Sequence, residues 1–205
     1  QQQKAVTQIC GNMDAGQQQV YLLHGVTGSG KKEVYMQCIE HVIRSGRQAI
    51  VLIPEIALTF QTVQRFYARF GDRVSVMHSR LSAGERYDQF ERAQMGEIDI
   101  MIGPRSALFT PFERLGIIVM DEEHESSYQS ENVPKYHARE VAVQRAKMLG
   151  ASVLLGSATP SLEAYTKAKN GEFRLVKLKA RFEDRPLPKV SVVDLREELR
   201  EGNRS

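Results

Sequence analysis

Residues 22–32 read Leu-Leu-His-Gly-Val-Thr-Gly-Ser-Gly-Lys-Lys. Gly25, Gly28 and Gly30 let the backbone turn its N–H groups inward on an anion, with Val26, Thr27 and Ser29 completing the turn. A helix N-terminus behind such a turn adds partial positive charge, and Lys31 has the reach to meet the terminal phosphates of a nucleotide. The context agrees. Val20 to Leu23 is an apolar run that reads as a short buried strand, and residues 33–39 have helical spacing. The plainer alternative is a glycine turn leading into a basic helix. One position departs from the phosphate-loop pattern. Lys32 stands where a Ser or Thr hydroxyl would ligate Mg²⁺. An ammonium about 4 Å from a divalent ion costs roughly 8 kcal/mol at an effective dielectric of 20. Lys32 is therefore expected either to swing out to solvent or to displace the metal.

A second cluster is Asp121-Glu122-Glu123-His124, directly after the apolar run Ile117-Ile118-Val119-Met120. An acid at a strand end can hold Mg²⁺ through water beside nucleotide phosphates, which is the role expected of Asp121. Glu122 is placed to polarise an attacking water. The alternative is a merely acidic loop. His124 reads either as an ordinary loop histidine or as a relay between the nucleotide site and residues 156–159, where Ser157 and Thr159 are small hydroxylic residues at another strand end. Thr59, Gln61, Arg105 and Ser106 offer donors at further strand ends, suited to nucleic-acid phosphates. In residues 126–136, Tyr128 and Tyr136 lie near Lys135, a combination suited to stacking on single-stranded bases. The competing reading is that these tyrosines pack the loop onto the domain.

Positioning these groups requires a sheet. Apolar runs at residues 20–23, 48–53, 74–77, 98–102, 117–120, 152–155 and 173–178 predict strands. Helices are expected over residues 2–13, 31–45, 57–70, 82–95 and 137–149, with one starting at Ser161; Ser82 and Glu85 have capping-box spacing. Strands alternating with helices predict an α/β domain with a doubly wound, mostly parallel sheet. Ligands bind such sheets outside the carboxyl ends of the strands, where every cluster above sits. Residues 179–188 are charged and punctuated by proline, and read as a linker. Residues 188–195 hold one more strand-like patch, and a charged, helix-like end follows.

The 205 residues suffice for one such domain plus a tail, and the net charge of +3 permits a polyanionic partner without requiring one. Cys10 and Cys38 are isolated, with no metal-ligand spacing and no disulfide framework implied. No signal peptide and no apolar run near about 18 residues occurs, so a cytoplasmic location without membrane partners is expected. The chain begins without an initiator Met and ends on Gly202-Asn203-Arg204-Ser205, which suggests a piece of something longer.

GVTGSGK at 25–31, EVY at 33–35, PEIALT at 54–59, HS at 78–79, RSALFTPF at 105–112, DEEH at 121–124, YHARE at 136–140 and GSATPS at 156–161 together resemble the first motor lobe of superfamily 2 DNA helicases, specifically the replication-restart helicases. The resemblance runs on through VDLREEL at 193–199. RecG-type branch-migration helicases share the skeleton but are less similar in the RSALF segment and the DEEH loop. The resemblance implies a RecA-like P-loop NTPase lobe over residues 1–180, with 181–205 leading toward a second lobe outside this sequence. It implies a 3′-to-5′ ATP-driven helicase acting on forked and single-stranded DNA, with primosome and single-strand-binding proteins as partners. ATP and Mg²⁺ are the implied cofactors; zinc is implied only in parts of the parent protein outside this sequence. By motif, Lys31 would hold phosphate, Asp121 the Mg²⁺ through water, and Glu122 would be the catalytic base. Ser157 and Thr159 would couple hydrolysis to DNA, Gln2 would read adenine, and residues 126–136 would link DNA binding to hydrolysis. An arginine finger on the second lobe is worth roughly 10³ to 10⁵ in rate in related hydrolases. With that lobe outside the sequence and Lys32 in the metal corner, the chain by itself is expected to hydrolyse ATP negligibly and unwind nothing. A non-hydrolysing nucleotide- or DNA-binding scaffold is the alternative. A P-loop kinase or transporter ATPase would explain the loop but not the acidic, Ser-Ala-Thr and aromatic segments.

Overall fold

Uninterrupted apolar runs give this chain its sheet. A computed structural model describes residues 1–179 and forms seven strands: β1 (Val20–Gly25), β2 (Gln48–Leu52), β3 (Val74–Val76), β4 (Ile100–Gly103), β5 (Leu115–Asp121), β6 (Ser152–Ser157) and β7 (Arg174–Leu178). They lie in the order β3-β4-β2-β5-β6-β1-β7, every neighbouring pair parallel. Strands β2, β4, β5 and β6 are buried along their whole length, so their sequences carry no polar alternation. The helices are α1 (Gln2–Asp14), α2 (Lys31–Arg44), α3 (Phe60–Phe70), α4 (Ala83–Gln94), α5 (Ala138–Leu149) and α6 (Leu162–Lys169).

Successive strand residues point to opposite faces and so build two apolar layers. Leu23, Val51, Val119 and Leu154 pack with Ile9 of α1 and Ile39 of α2. Their neighbours Leu22, Ile50, Met120 and Leu155 pack with Ala142 of α5 and Ala164 of α6. The doubly wound parallel sheet predicted from the strand–helix alternation is the one that forms. Ser82 and Glu85 make the expected capping box on α4. The helix predicted over residues 57–70 is shorter. Pro54 keeps the chain extended, a 3-10 turn spans Glu55–Ala57, and Thr59 starts α3 by accepting the Thr62 N–H at 3.3 Å. The linker, strand-like patch and helix-like end expected beyond residue 180 lie outside the described residues.

Strand order decides what meets at the carboxyl rim. Strand β6 sits between β5 and β1, pairing Gly156 with Asp121 on one side and Ser157 with His24 on the other. The ends of these three strands therefore bring residues 25–31, 121–124 and 156–161 to adjacent places.

Candidate functional site

The glycine turn closes tightly between β1 and α2. Gly28 and Gly30 adopt φ of +80° and +86°, a left-handed conformation that costs a side-chain-bearing residue strain. The Ser29 N–H donates to the Val26 carbonyl at 3.0 Å and pins the turn. Lys31 is buried, and its Nζ donates to the Gly25 carbonyl at 2.6 Å. Ser29 is 2 % exposed, and its Oγ has no hydrogen-bond partner among the described residues. Gln2 lies against the turn from α1, donating Nε2 to the Ser29 carbonyl at 3.0 Å.

Asp121 ends β5 as a buried carboxylate whose Oδ1 accepts from the Tyr35 hydroxyl at 3.0 Å. Burial of the Tyr35 ring and the nearby Asp121 charge push that phenol well above its usual range, so it remains a donor. The Tyr128 hydroxyl lies 2.7 Å from the Asp121 carbonyl and 3.0 Å from the Leu52 carbonyl, tying the ends of β5 and β2. Glu122 has φ +47°, the single described non-glycine residue with positive φ. Such a backbone costs on the order of 1–3 kcal/mol and persists only where its surroundings hold it. Glu123 supplies that hold. Its N–H donates to the Gly156 carbonyl at 3.0 Å. Its buried carboxylate accepts from Ser161 N at 2.7 Å, Ser161 Oγ at 3.0 Å and Arg139 Nη1 at 3.2 Å. His124 then turns toward β6, with Nδ1 2.7 Å from Ser157 Oγ and Nε2 3.5 Å from Thr159 Oγ1. The acidic segment and the Ser-Ala-Thr segment are thus joined twice, through Glu123 and through His124.

Gln2, residues 27–32, Arg65, Asp121 and Glu122 line one cavity of about 1020 Å³. The phosphate-type cradle and the acid pair face the same space from the ends of β1 and β5, on either side of β6. The divalent-metal corner is different. Lys32 lines this cavity and also a narrow space beside it, shared with Tyr35 and Asp121. The hydroxyl ligand is replaced by an ammonium, and one Asp121 oxygen is engaged by Tyr35. Among the described residues no group of three or more His, Cys, Asp or Glu is arranged to hold a metal ion. These residues do not fit a firmly held Mg²⁺.

Tyr128 requires a correction. Expected to stack on bases, it is 1 % exposed, with its ring in the apolar layer beneath the sheet end and its hydroxyl on two backbone carbonyls. Tyr136 is half-buried and packs edge-on against the half-exposed Phe109, ring centres 5.6 Å apart. Arg105 is turned onto protein carbonyls, donating to Ser127 at 3.1 Å and Gln129 at 2.5 Å, and so braces the aromatic loop. Ser106 Oγ meets Met77 Sδ at 3.6 Å, and Thr59 spends its hydroxyl on capping α3. Sequence reasoning missed Tyr35, Glu123 and Arg139. All three stand within the EVY, DEEH and YHARE segments, but nothing in those segments showed what each side chain would touch.

Residues 1–168 match the family model described as DEAD/DEAH box helicase. The chain is 54% identical over 205 residues to the replication restart protein PriA of Bacillus subtilis (strain 168), covering 100% of this chain and 26% of that protein. It is 49% identical over 189 residues to PriA of Synechocystis sp., covering 90% of this chain and 23% of that protein. It therefore spans about a quarter of the length of these relatives. Among solved structures it is similar to RecG bound to a three-way DNA junction, with a TM-score of 0.66, 21% identity, and coverage of 98% of this chain and 26% of that one. The Hef helicase domain of Pyrococcus furiosus gives a TM-score of 0.60 at 16% identity, covering 87% of this chain and 38% of that one. At those identities the likeness is one of fold. With its cradle and acid pair on a shared rim and the family match running over most of its length, the chain belongs to the DEAD/DEAH box helicase family.

Proposed function

We propose that residues 1–180 are the ATP-binding motor lobe of a 3′-to-5′ DNA helicase that restarts stalled replication forks and promotes primosome assembly. The observation that carries this reading is the single cavity lined by both the glycine turn and the Asp121–Glu122 pair. In it, N–H groups of residues 27–31 and the Lys31 ammonium hold the phosphates, and Glu122 orients and polarises the attacking water. Asp121 is the carboxylate that a hydrated Mg²⁺ would approach in a lobe with the usual hydroxyl ligand. Gln2, with Nε2 on the Ser29 carbonyl, keeps its own side-chain carbonyl for the adenine amino group.

His124, Ser157 and Thr159 form the path by which the state of the cavity reaches DNA. Thr59, Arg105, Ser106 and Tyr136 lie near the rim where forked or single-stranded DNA would run. The likeness to PriA proteins supports the same reading, with primosome and single-strand-binding proteins as partners of the whole protein in the cytoplasm. No helix among the described residues is long and apolar enough to cross a membrane. Lys32 in the metal corner favours nucleotide binding without turnover by this lobe.

Fluorescent-nucleotide titration tests the site. Lys31→Ala is expected to weaken binding at least about tenfold, the scale of one lost charge-assisted contact. Unchanged affinity would overturn the assignment.

A further inference from the structure

Lys32 is exposed and forms no hydrogen bond or ion pair with any described residue. It nevertheless lines the cavity that holds Lys31, Asp121 and Glu122, together with the narrow space shared by Tyr35 and Asp121. Arg65 lines both spaces beside it and adds a further cation there. Arg69 pairs with Glu33 at 3.0 Å and Glu40 at 2.7 Å. Asp121 Oδ1 is taken by Tyr35, and no alternative carboxylate cluster offers a metal a home among the described residues. Ser29 lines the cavity beside the N-terminus of a fourteen-residue helix, with its Oγ buried and without a hydrogen-bond partner among the described residues. The wall therefore presents two ammonium groups and the Arg65 guanidinium beside Asp121 and Glu122, without the loop hydroxyl that would anchor a divalent ion.

We propose that the Lys32 ammonium takes the place of the divalent cation, so that this chain grips the β- and γ-phosphates of a free nucleoside triphosphate between Lys31 and Lys32 without magnesium. The inference rests on the reading of residues 25–31 as a nucleotide site and adds to it the form of the ligand. Electrostatics set the direction. A free triphosphate offers both lysines its full negative charge. The magnesium complex arrives partly neutralised, with its ion facing the Lys32 ammonium across a few ångströms. Magnesium is then a competitor for the ligand rather than a co-ligand, the opposite of the usual phosphate-loop behaviour.

The test is titration of the full 205-residue chain with a fluorescent ATP analogue, in EDTA and in excess Mg²⁺. The unaltered chain is expected to bind about tenfold more tightly in EDTA. Lys32→Met, which keeps the apolar stem and removes the charge, is expected to lose that preference. Lys32→Thr is expected to reverse it. Thermal unfolding of each variant, expected to match the unaltered chain at this exposed position, excludes misfolding as the cause. Tighter binding in Mg²⁺ by the unaltered chain would overturn the proposal, as would a preference that survives in Lys32→Met. If the chain binds no nucleotide in either buffer, or if Lys31→Ala changes nothing, the nucleotide-site reading itself falls. If Lys31→Ala abolishes binding that depends on Mg²⁺, only the role of Lys32 falls.

Discussion

Replacing Arg139 by methionine is expected to destabilise the fold by about 3 kcal/mol, the lower end of the cost of breaking a buried ion pair from one side. The Arg139 and Glu123 side chains are 2% and 0% exposed. The guanidinium donates to Glu123 at 3.2 Å and to Ser161 Oγ at 2.9 Å, and also contacts Glu140 and Glu163. Without it, the Glu123 carboxylate stays buried with only the Ser161 N–H and hydroxyl for partners. Those two donors offset part of the exposed cost, which sets the expectation at the low end. The Glu140 and Glu163 contacts face solvent and add little. Urea unfolding reads the effect as a lower midpoint at an unchanged m-value. For a chain of this size, about 3 kcal/mol corresponds to a fall in Tm of roughly 6–12 °C. Adding Glu123→Gln removes the stranded charge and keeps an acceptor for Ser161, so the double variant is expected to be more stable than Arg139→Met alone. A loss below about 1 kcal/mol, the ordinary range of surface changes, would refute the view of this pair as the brace behind Glu122. So would a double variant no more stable than the single one.

Other outcomes follow from the same geometry. A Cβ at Gly156 would lie 1.5 Å from the Tyr35 hydroxyl, so Gly156→Ala is expected to expel that hydroxyl from Asp121 and cost about 1–3 kcal/mol in chemical unfolding. Tyr128→Phe is expected to cost about 1–3 kcal/mol by leaving buried carbonyls without their donor. It should leave single-stranded DNA affinity unchanged in fluorescence anisotropy, whereas a stacking role predicts a loss. His137 caps α5 through Nδ1, which accepts the Arg139 N–H at 3.1 Å; burial first, then the Arg139 charge, hold its pKa below the usual 6.5. The unfolded chain therefore takes up this proton more readily. His137 costs the fold nothing above about pH 6.5, and stability is lost as pH falls below that value through the lowered folded pKa. His137→Asn keeps a cap and should remove that part of the acid slope in unfolding measured from pH 7 to pH 5. The isolated chain is expected to show no DNA-stimulated phosphate release in a coupled assay; clear turnover would contradict the reading of Lys32 and of the second lobe's contribution.

The sequence carried the sheet well because fully buried strands announce themselves as unbroken apolar runs, as at Ala49 to Leu52 and Ile117 to Met120. The glycine turn and the strand-terminal acids were legible for the same reason, since each begins where such a run stops. Helix starts were less legible. Only the competition between Pro54, a 3-10 turn and the Thr59 cap decides that α3 begins at Phe60. What stayed hidden depends on contacts distant in the chain. Tyr35 reaches Asp121 across eighty-six positions, and Arg139 reaches Glu163 across twenty-four. Tyr128 looked like a solvent-facing aromatic in a polar loop, yet two backbone carbonyls at strand ends required a donor and drew it inside.

Backbone amide shifts on adding ATP test the central claim most directly. The account predicts that the largest changes fall together on residues 27–32 and on Asp121 and Glu122, because one set of phosphates meets both walls of the same cavity. Changes confined to another part of the surface, or to the turn with the acid pair unmoved at saturation, would contradict it.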